Sequence, residues 1–358
     1  MEIFWFIVLI TMLTGYILLD GYDFGAGIVH LLFAKKEKDK QLIHRAIGPF
    51  WDANEVWLVA AGGLLFFAFP RLYASAFSGF YLPLIMILWL LIFRAIGLEL
   101  RALVDHDIWR VIWDKAFGVS SLLLALFFGL ALGNVVRGVN LGGLEDGVSR
   151  FESLYFFLPL WNSSFSPLGI DLGIIDWFTL ILGIVSLLAL TIHGSNWIIF
   201  KTNSSINPLL KQWVFRLSFA LAGAVILSLV AWLSVRPDPF ENFLEMPIFW
   251  VFPLMTLAGL VGLMMIQRFQ KDGFGFLFSS LFIVGASAST AVSVFPVMLP
   301  SSNDVHPDLT IYNTAASEYG LNAGLGWWPF AAVLVVVYVV VQYRIFKGKM
   351  DDVEYGEH

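Results

Sequence analysis

The 358-residue chain contains no cysteine. That absence excludes disulfides, iron–sulfur clusters, thiolate-ligated haem and covalently attached haem, and it leaves the redox compartment unreadable from thiols. Charge is scarce as well: Asp, Glu, Lys and Arg supply 13% of residues, against 59% hydrophobic ones and a mean hydropathy of +0.80. A soluble domain would be about 45–50% apolar, so the chain reads as a polytopic membrane protein. There is no phosphate loop, no His-x-x-x-His zinc pair, no nucleophile elbow and no basic stripe for nucleic acid. The opening Met1-Glu2-Ile3 lacks the positive region and cleavage site of a secretory signal, so the first apolar run is expected to be retained as a helix.

A helix needs about 20 mostly apolar residues to cross the hydrocarbon. Nine segments qualify, at roughly 4–33, 51–70, 74–102, 112–136, 173–200, 212–235, 247–267, 275–299 and 325–346. The first and third are long, which predicts tilt or a break. The net charge of −6 matters less than where the cations fall. Lys35, Lys36, Lys38, Lys40, Arg45, Arg101, Arg110, Lys115, Lys201, Lys211, Arg216, Arg268, Lys271, Arg344, Lys347 and Lys349 all follow odd-numbered segments. Arg71, Arg137, Arg150 and Arg236 fall on the other side, and Arg94 lies within a segment, completing the 21 Lys and Arg. The positive-inside rule then predicts an external N-terminus and a cytoplasmic C-terminus.

The expected fold is therefore all-α, a single integral membrane domain over 1–358 with nine transmembrane helices. Residues 1–136 form a first four-helix bundle carrying the polar motifs, 137–172 an external loop, and 173–358 five helices and a cytoplasmic tail. The aromatic run Phe151–Trp161 is too short to span and is expected along the headgroups. Asp20-Gly21-Tyr22-Asp23-Phe24 resembles His193-Gly194-Ser195-Asn196-Trp197, and Phe117-Gly118-Val119-Ser120-Ser121-Leu122 resembles Phe276-Leu277-Phe278-Ser279-Ser280-Leu281. An offset of four helices predicts two pseudo-symmetric four-helix bundles plus one peripheral helix.

Several ionisable groups fall where lipid would otherwise be. Asp20 and Asp23 lie past the midpoint of the first segment, Asp52 and Glu55 in the first turns of the second, and Arg94 and Glu99 in the last turns of the third. An acid at the bilayer centre costs about 2.5–3.5 kcal/mol even on lenient insertion scales. A helix dipole explains Asp52 and Glu55 individually, snorkelling explains Arg94, and an interfacial position explains Glu99. Asp20 and Asp23 resist such explanations, because they sit within a helix beside Gly21, Gly25 and Gly27. Carboxylates gathered with one Arg and linked by Tyr22, Asn54 and Trp57 have the composition of a proton relay open to the cytoplasm.

His30, His44, His106, His193, His306 and His358 read as helix-end, loop or tail residues. Deep methionines such as Met86 and Met264 read as ordinary packing. No haem ligand is therefore expected from this chain.

Asp20-Gly21-Tyr22-Asp23-Phe24-Gly25-Ala26-Gly27, Trp51-Asp52-Ala53-Asn54-Glu55-Val56-Trp57-Leu58, Ala61-Gly62-Gly63, Ala76-Phe77-Ser78-Gly79-Phe80-Tyr81 and Phe93-Arg94-Ala95-Ile96-Gly97 together resemble subunit II of cytochrome bd quinol oxidase. The motif-level match covers roughly the first 110 residues; helix count, orientation and length extend it. The resemblance implies a heterodimer with a haem-bearing subunit I in a bacterial or archaeal cytoplasmic membrane. In such a complex quinol is oxidised outside and dioxygen is reduced to water with cytoplasmic protons. It further implies haem b and haem d groups in the partner, with room for small single-helix accessory subunits and a structural quinone or lipid. Subunit II supports assembly in that family and in some members helps form a proton route. The positions matching the family's intramembrane polar set are Asp20, Asp23, Asp52, Trp57, Arg94 and Glu99, with Glu99 standing where Asp is expected; Glu55 joins them from its place in the same run.

Two further readings compete with a proton-conducting oxidase subunit. One is a proton-coupled carrier or channel whose glycine-broken first helix forms a midplane site, although the second half of the chain is almost purely apolar at depth. The other is a scaffold, with proton uptake confined to subunit I.

Overall fold

The computed structural model describes residues 1–141, 159–169, 172–236, 238–302 and 307–351, together with the backbone of 144–145 and 148–149. In chain order the elements are α1 (Glu2–Leu32), α2 (Glu37–Ile47), α3 (Trp51–Ala68), α4 (Pro70–Gly79), α5 (Tyr81–Leu100), α6 (Asp107–Arg137), β1 (Leu144–Glu145) and β2 (Val148–Ser149). They continue with α7 (Trp177–Lys201), α8 (Asn207–Val235), α9 (Glu241–Glu245), α10 (Val251–Met264), α11 (Gly273–Val294), β3 (Val297–Leu299), β4 (Leu309–Thr310) and α12 (Glu318–Ile345). The fold is a membrane-type helical assembly, as the hydropathy predicts.

Among the described residues eight helical segments are long and apolar enough to cross a membrane: α1, α5, α6, α7, α8, Pro247–Met264, α11 and α12. The remaining predicted segment, 51–70, is helical as α3 but falls outside that set, because Asp52, Asn54 and Glu55 open it with polar turns.

The long segment 74–102 breaks, as its length allowed, at Phe80, since Pro83 has no N–H to bond back to Gly79 and a new helix starts with that proline in its first turn. Other boundaries depart from expectation, each for a local reason. The segment predicted at 275–299 stops helically at Val294. Pro296 lacks a donor, and Val297–Leu299 instead pairs antiparallel with β4, Val297 opposite Thr310 and Leu299 opposite Leu309. The stretch predicted as a cationic loop folds as α2, an amphipathic helix burying Leu42, Ile43, Ala46 and Ile47. Most of the aromatic run, 151–158, lies outside the described residues, as do His306 and His358; Trp161 is 64% exposed.

At about 1.5 Å per residue the 31-residue α1 is about 46 Å long and crosses the hydrocarbon without a break. Asp20 through His30 are all buried, as are Ala189 through Ile199 of α7, so α1 and α7 form the centre. α1 packs against α3, α6, α7 and α11, while α7 packs against α1, α6, α8 and α11. α5 rests on α6, and α10 on α8 and α11. α12 is peripheral, burying Leu321, Gly324 and Gln342.

The two central helices cross at Gly25 and Gly194. A Cβ at Gly25 would stand 2.6 Å from the Gly194 amide nitrogen and would also strike the Leu190 carbonyl oxygen. Such backbone contact is the close approach that small residues permit between membrane helices.

The loops gather at two ends. At one end Asp39 accepts from Ser204 and Ser205, Arg101 pairs with Glu37, Asp272 pairs with Lys211 and Lys349, and Met350 donates to the Lys201 carbonyl. This is the end carrying most cations. At the other end the Trp5 indole donates to the Leu321 carbonyl, Arg71 to the Asn313 carbonyl, and Val139 bridges Ser301. There Arg137 and Asp176 form a buried ion pair, with Arg137 also donating to Asn134 at 2.5 Å and to the Gly173 carbonyl at 3.1 Å. Asp176 caps α7 through a reciprocal Asp176–Thr179 capping box, so one residue fixes both the helix start and its docking onto α6.

The α1–α7 crossing generates a prediction. Gly25→Ala should lower the melting temperature of the purified assembly or abolish assembly, because the obstacle is backbone and the penalty exceeds the about 1–3 kcal/mol of ordinary overpacking. Gly223→Ala, whose Cβ meets nothing within 4 Å, should leave it unchanged or slightly raised.

Candidate functional site

Three helices bring a polar cluster together, past the middle of α1, in the first turns of α3 and in the last turns of α5. From α5, Arg94 donates through Nη1 to Asp20 Oδ1 of α1 at 2.5 Å, with both side chains fully buried. Its Nη2 lies 3.3 Å from Glu55 Oε2 of α3, and its guanidinium sits 4.7 Å over the Phe24 ring. Glu55 is 23% exposed, so it is the member of the group that reaches the rim.

One turn along α1, Asp23 accepts from Asn54 Nδ2 at 2.8 Å. The same amide nitrogen lies 2.7 Å from the Tyr22 hydroxyl, which is 2.9 Å from the Tyr343 hydroxyl of α12. An amide has two protons for these acceptors and the Leu19 carbonyl at 3.3 Å, so the group is a set of alternative hydrogen bonds rather than one fixed pattern. Asp20 interacts electrostatically with both Tyr16 and Asp23. Yet Asp20 Oδ2, Asp23 Oδ1 and the Tyr16 hydroxyl are buried without a well-formed hydrogen bond.

Three carboxyls, Asp20, Asp23 and Glu55, face one guanidinium. Unpaired charge in a dry site is expensive, so three carboxyls sharing one guanidinium have their charge states tied to one another. The chemistry this arrangement can do is to accept, hold and release a proton beside a fixed cation.

The structure thus brings Asp20, Asp23, Glu55 and Arg94 together. It places Asp52 on the exposed face of α3, one turn before Glu55, and Glu99 on the exposed face of α5, five residues past Arg94 and outside the cluster. Trp57 packs its indole against Gly15 of α1, where a Cβ would meet the ring at 2.8 Å, and it does not join the ion pairs. Tyr343 could not be read from the sequence as a partner, since it arrives from the far end of the chain.

A second cluster went unread. At the cation-rich end His30, His44 and Asp114 converge from α1, α2 and α6, with Arg101 and Lys40 on the Asp114 carboxylate at 2.5 and 2.7 Å. Burial, then the neighbouring His30, hold the His44 imidazole well below the ordinary histidine range. The missed signal was Asp114 itself, an acid within the predicted segment 112–136.

His193, read from sequence as a helix-end residue, lies two turns inside α7 and is fully buried. Its Nδ1 meets the Ser279 hydroxyl at 2.8 Å and its Nε2 the Leu18 carbonyl at 2.9 Å, so neither ring nitrogen is available to a haem iron. The carrier reading loses its main support, because α1 runs unbroken through Gly21, Gly25 and Gly27.

Comparisons with known proteins agree with this architecture. A probable cytochrome oxidase subunit 2 of Haemophilus influenzae is 30% identical, the alignment covering 97% of this chain and 94% of that protein. Cytochrome bd-I ubiquinol oxidase subunit 2 of Escherichia coli K12 is 27% identical over 99% of this chain and 97% of its own length, and the Bacillus subtilis cytochrome bd ubiquinol oxidase subunit 2 is 26% identical over 98% and 97%. A chain in the solved structure of the bd oxidase from Geobacillus thermodenitrificans superposes with a TM-score of 0.66 at 14% identity, covering 96% of this chain and 98% of that one, which shows a shared fold. The family model for cytochrome bd terminal oxidase subunit II matches residues 1–346. This chain belongs to the cytochrome bd terminal oxidase subunit II family, and is a subunit of that membrane oxidoreductase complex.

Proposed function

We propose that this subunit conducts protons from the cytoplasm toward dioxygen reduction in a haem-bearing subunit I, and supports assembly of that partner. The observation that carries the reading is the polar ladder from surface to interior: exposed Asp52, rim-lying Glu55, then the buried Arg94, Asp20 and Asp23. Residues i and i+3 share a helix face, so Asp52 stands above Glu55 as the entry group. Arg94 holds the acids in place and keeps a negative site available, while Asp20, Asp23 and Asn54 offer acceptors deeper in.

The orientation is proposed on the same grounds as before, with the cation-rich end of the molecule cytoplasmic and the N-terminus outside. Haem b and haem d groups belong, in this reading, to the partner, which also oxidises the quinol; the role of this chain is to hold and pass protons. Glu99, on the exposed face of α5, is proposed as a second acid lying against the partner or the interface rather than as a member of the buried ladder.

Oxygen consumption by the assembled oxidase tests the ladder. Asp52→Asn and Glu55→Gln should each slow turnover about tenfold or more, within the range attributable to a positioned acid or base, while haem absorbance is retained. Full turnover in both variants would leave the scaffold role standing alone.

The buried ion pair gives a separate expectation. Arg94→Met should cost about 3–5 kcal/mol by taking away the counter-charge and hydrogen bond of the fully buried Asp20, seen as loss of assembled complex or a lowered melting temperature. Combining it with Asp20→Asn should recover part of that loss without restoring turnover.

A further inference from the structure

Where α1, α2 and α6 meet, three lone-pair donors point at one another. His30 Nε2 lies 3.3 Å from His44 Nε2 and 3.2 Å from Asp114 Oδ1, and all three donor atoms fall within 4.8 Å of each other. Among the described residues one such group of three occurs.

Hydrogen bonding alone serves this geometry poorly. A proton on His30 Nε2 has to be shared between the carboxylate and the second imidazole, whereas a proton on His44 Nε2 leaves His30 and Asp114 opposed as two acceptors. A cation placed among them would satisfy all three lone pairs at once. Tetrahedral Zn²⁺, with bonds of about 2.0–2.2 Å to imidazole nitrogen and carboxylate oxygen, sets its ligand atoms about 3.3–3.4 Å apart. The two observed separations match those edges.

We propose that His30, His44 and Asp114 form a binding site for one Zn²⁺ ion. The donor set of two imidazoles and one carboxylate, with water in the fourth position, suits zinc in preference to magnesium or calcium, which take oxygen ligands. Arg101 Nε and Lys40 Nζ occupy the remaining acceptor capacity of Asp114, at Oδ1 and Oδ2. They hold the carboxylate oriented and monodentate, as outer partners of metal ligands do. The Arg101 charge is already answered by Glu37, whose two oxygens it contacts at 2.7 and 2.9 Å. Lys40, 23% exposed, shares its charge with water while it stays on Oδ2. Bound zinc adds a further tie from α2 to the ends of α1 and α6, beside the Glu37–Arg101 and Lys40–Asp114 pairs.

Zinc retention by the complete oxidase decides the matter. The complex is stripped with a chelator, equilibrated with Zn²⁺, desalted, and its metal content measured per complex alongside zinc-edge X-ray absorption. The wild type is expected to retain one more zinc than His30→Ala or His44→Ala, with affinity at that site falling about tenfold or more, and the absorption fine structure to show imidazole scattering. Equal zinc content in the wild type and an assembled His44→Ala complex would overturn the proposal. Should neither variant assemble, a wild-type zinc shell lacking imidazole would do the same.

Discussion

A guanidinium sealed from water has to find its counter-charge inside the protein, and Arg94 finds it on α1. The Asp20–Arg94 bond joins the first helix to the fifth at full burial, while Glu55 adds the third helix to the same cation. Because removing either partner strands a charge in a dry interior, the rotations of these three helices about their axes are set together. Asp23, Asn54 and Tyr22 then fall into their own hydrogen-bonding positions one turn further along.

That electrostatic knot needs a tightly built support. The Gly25–Gly194 crossing lets α1 and α7 touch backbone to backbone, which keeps lipid and bulky side chains away from the acids. A stacked aromatic group, with Tyr22 on Trp197 at 4.1 Å and Phe276 on His193 at 4.9 Å, closes the opposite flank. In such a dry enclosure each acid depends on the partner the fold supplies, Arg94 for Asp20 and Asn54 for Asp23. Positioning and sealing are thus served by one set of contacts.

The ends of the molecule follow a different economy. Toward the ends buried and exposed pairs are mixed: Asp176 anchors the start of α7 and Asp114 collects Arg101, Lys40 and His30 with little exposure, while Asp272 gathers Lys211 and Lys349 closer to water. The exposed pairs contribute little to stability, whereas the buried Arg137–Asp176 pair contributes through what its loss would expose.

Much of this was legible in the sequence. Apolar runs of about 20 residues located the helices, and the positions of Lys and Arg sorted their connections to one end or the other. The cost of immersing charge flagged Asp20, Asp23, Asp52, Glu55, Arg94 and Glu99; Asp20, Asp23, Glu55 and Arg94 meet in space, while Asp52 and Glu99 lie exposed. Hydropathy is a sum over a window, so the excess length of 74–102 signalled tilt or a break without placing it at Phe80, and the strand after Pro296 and the amphipathic α2, which depend on one proline or on a face, did not register.

Which acids meet and which look outward was decided by tertiary structure. Asp52 and Glu55 share one face of α3 and are equal in hydropathy terms, yet Glu55 reaches Arg94 while Asp52, in the open first turn, stays exposed. His30, His44 and Asp114 are separated by up to 84 positions, and no local pattern links them. The sequence by itself determined that charge would be buried, because composition and periodicity carry that cost. Only the folded chain decided which groups share it, since partnership depends on how helices rotate and cross.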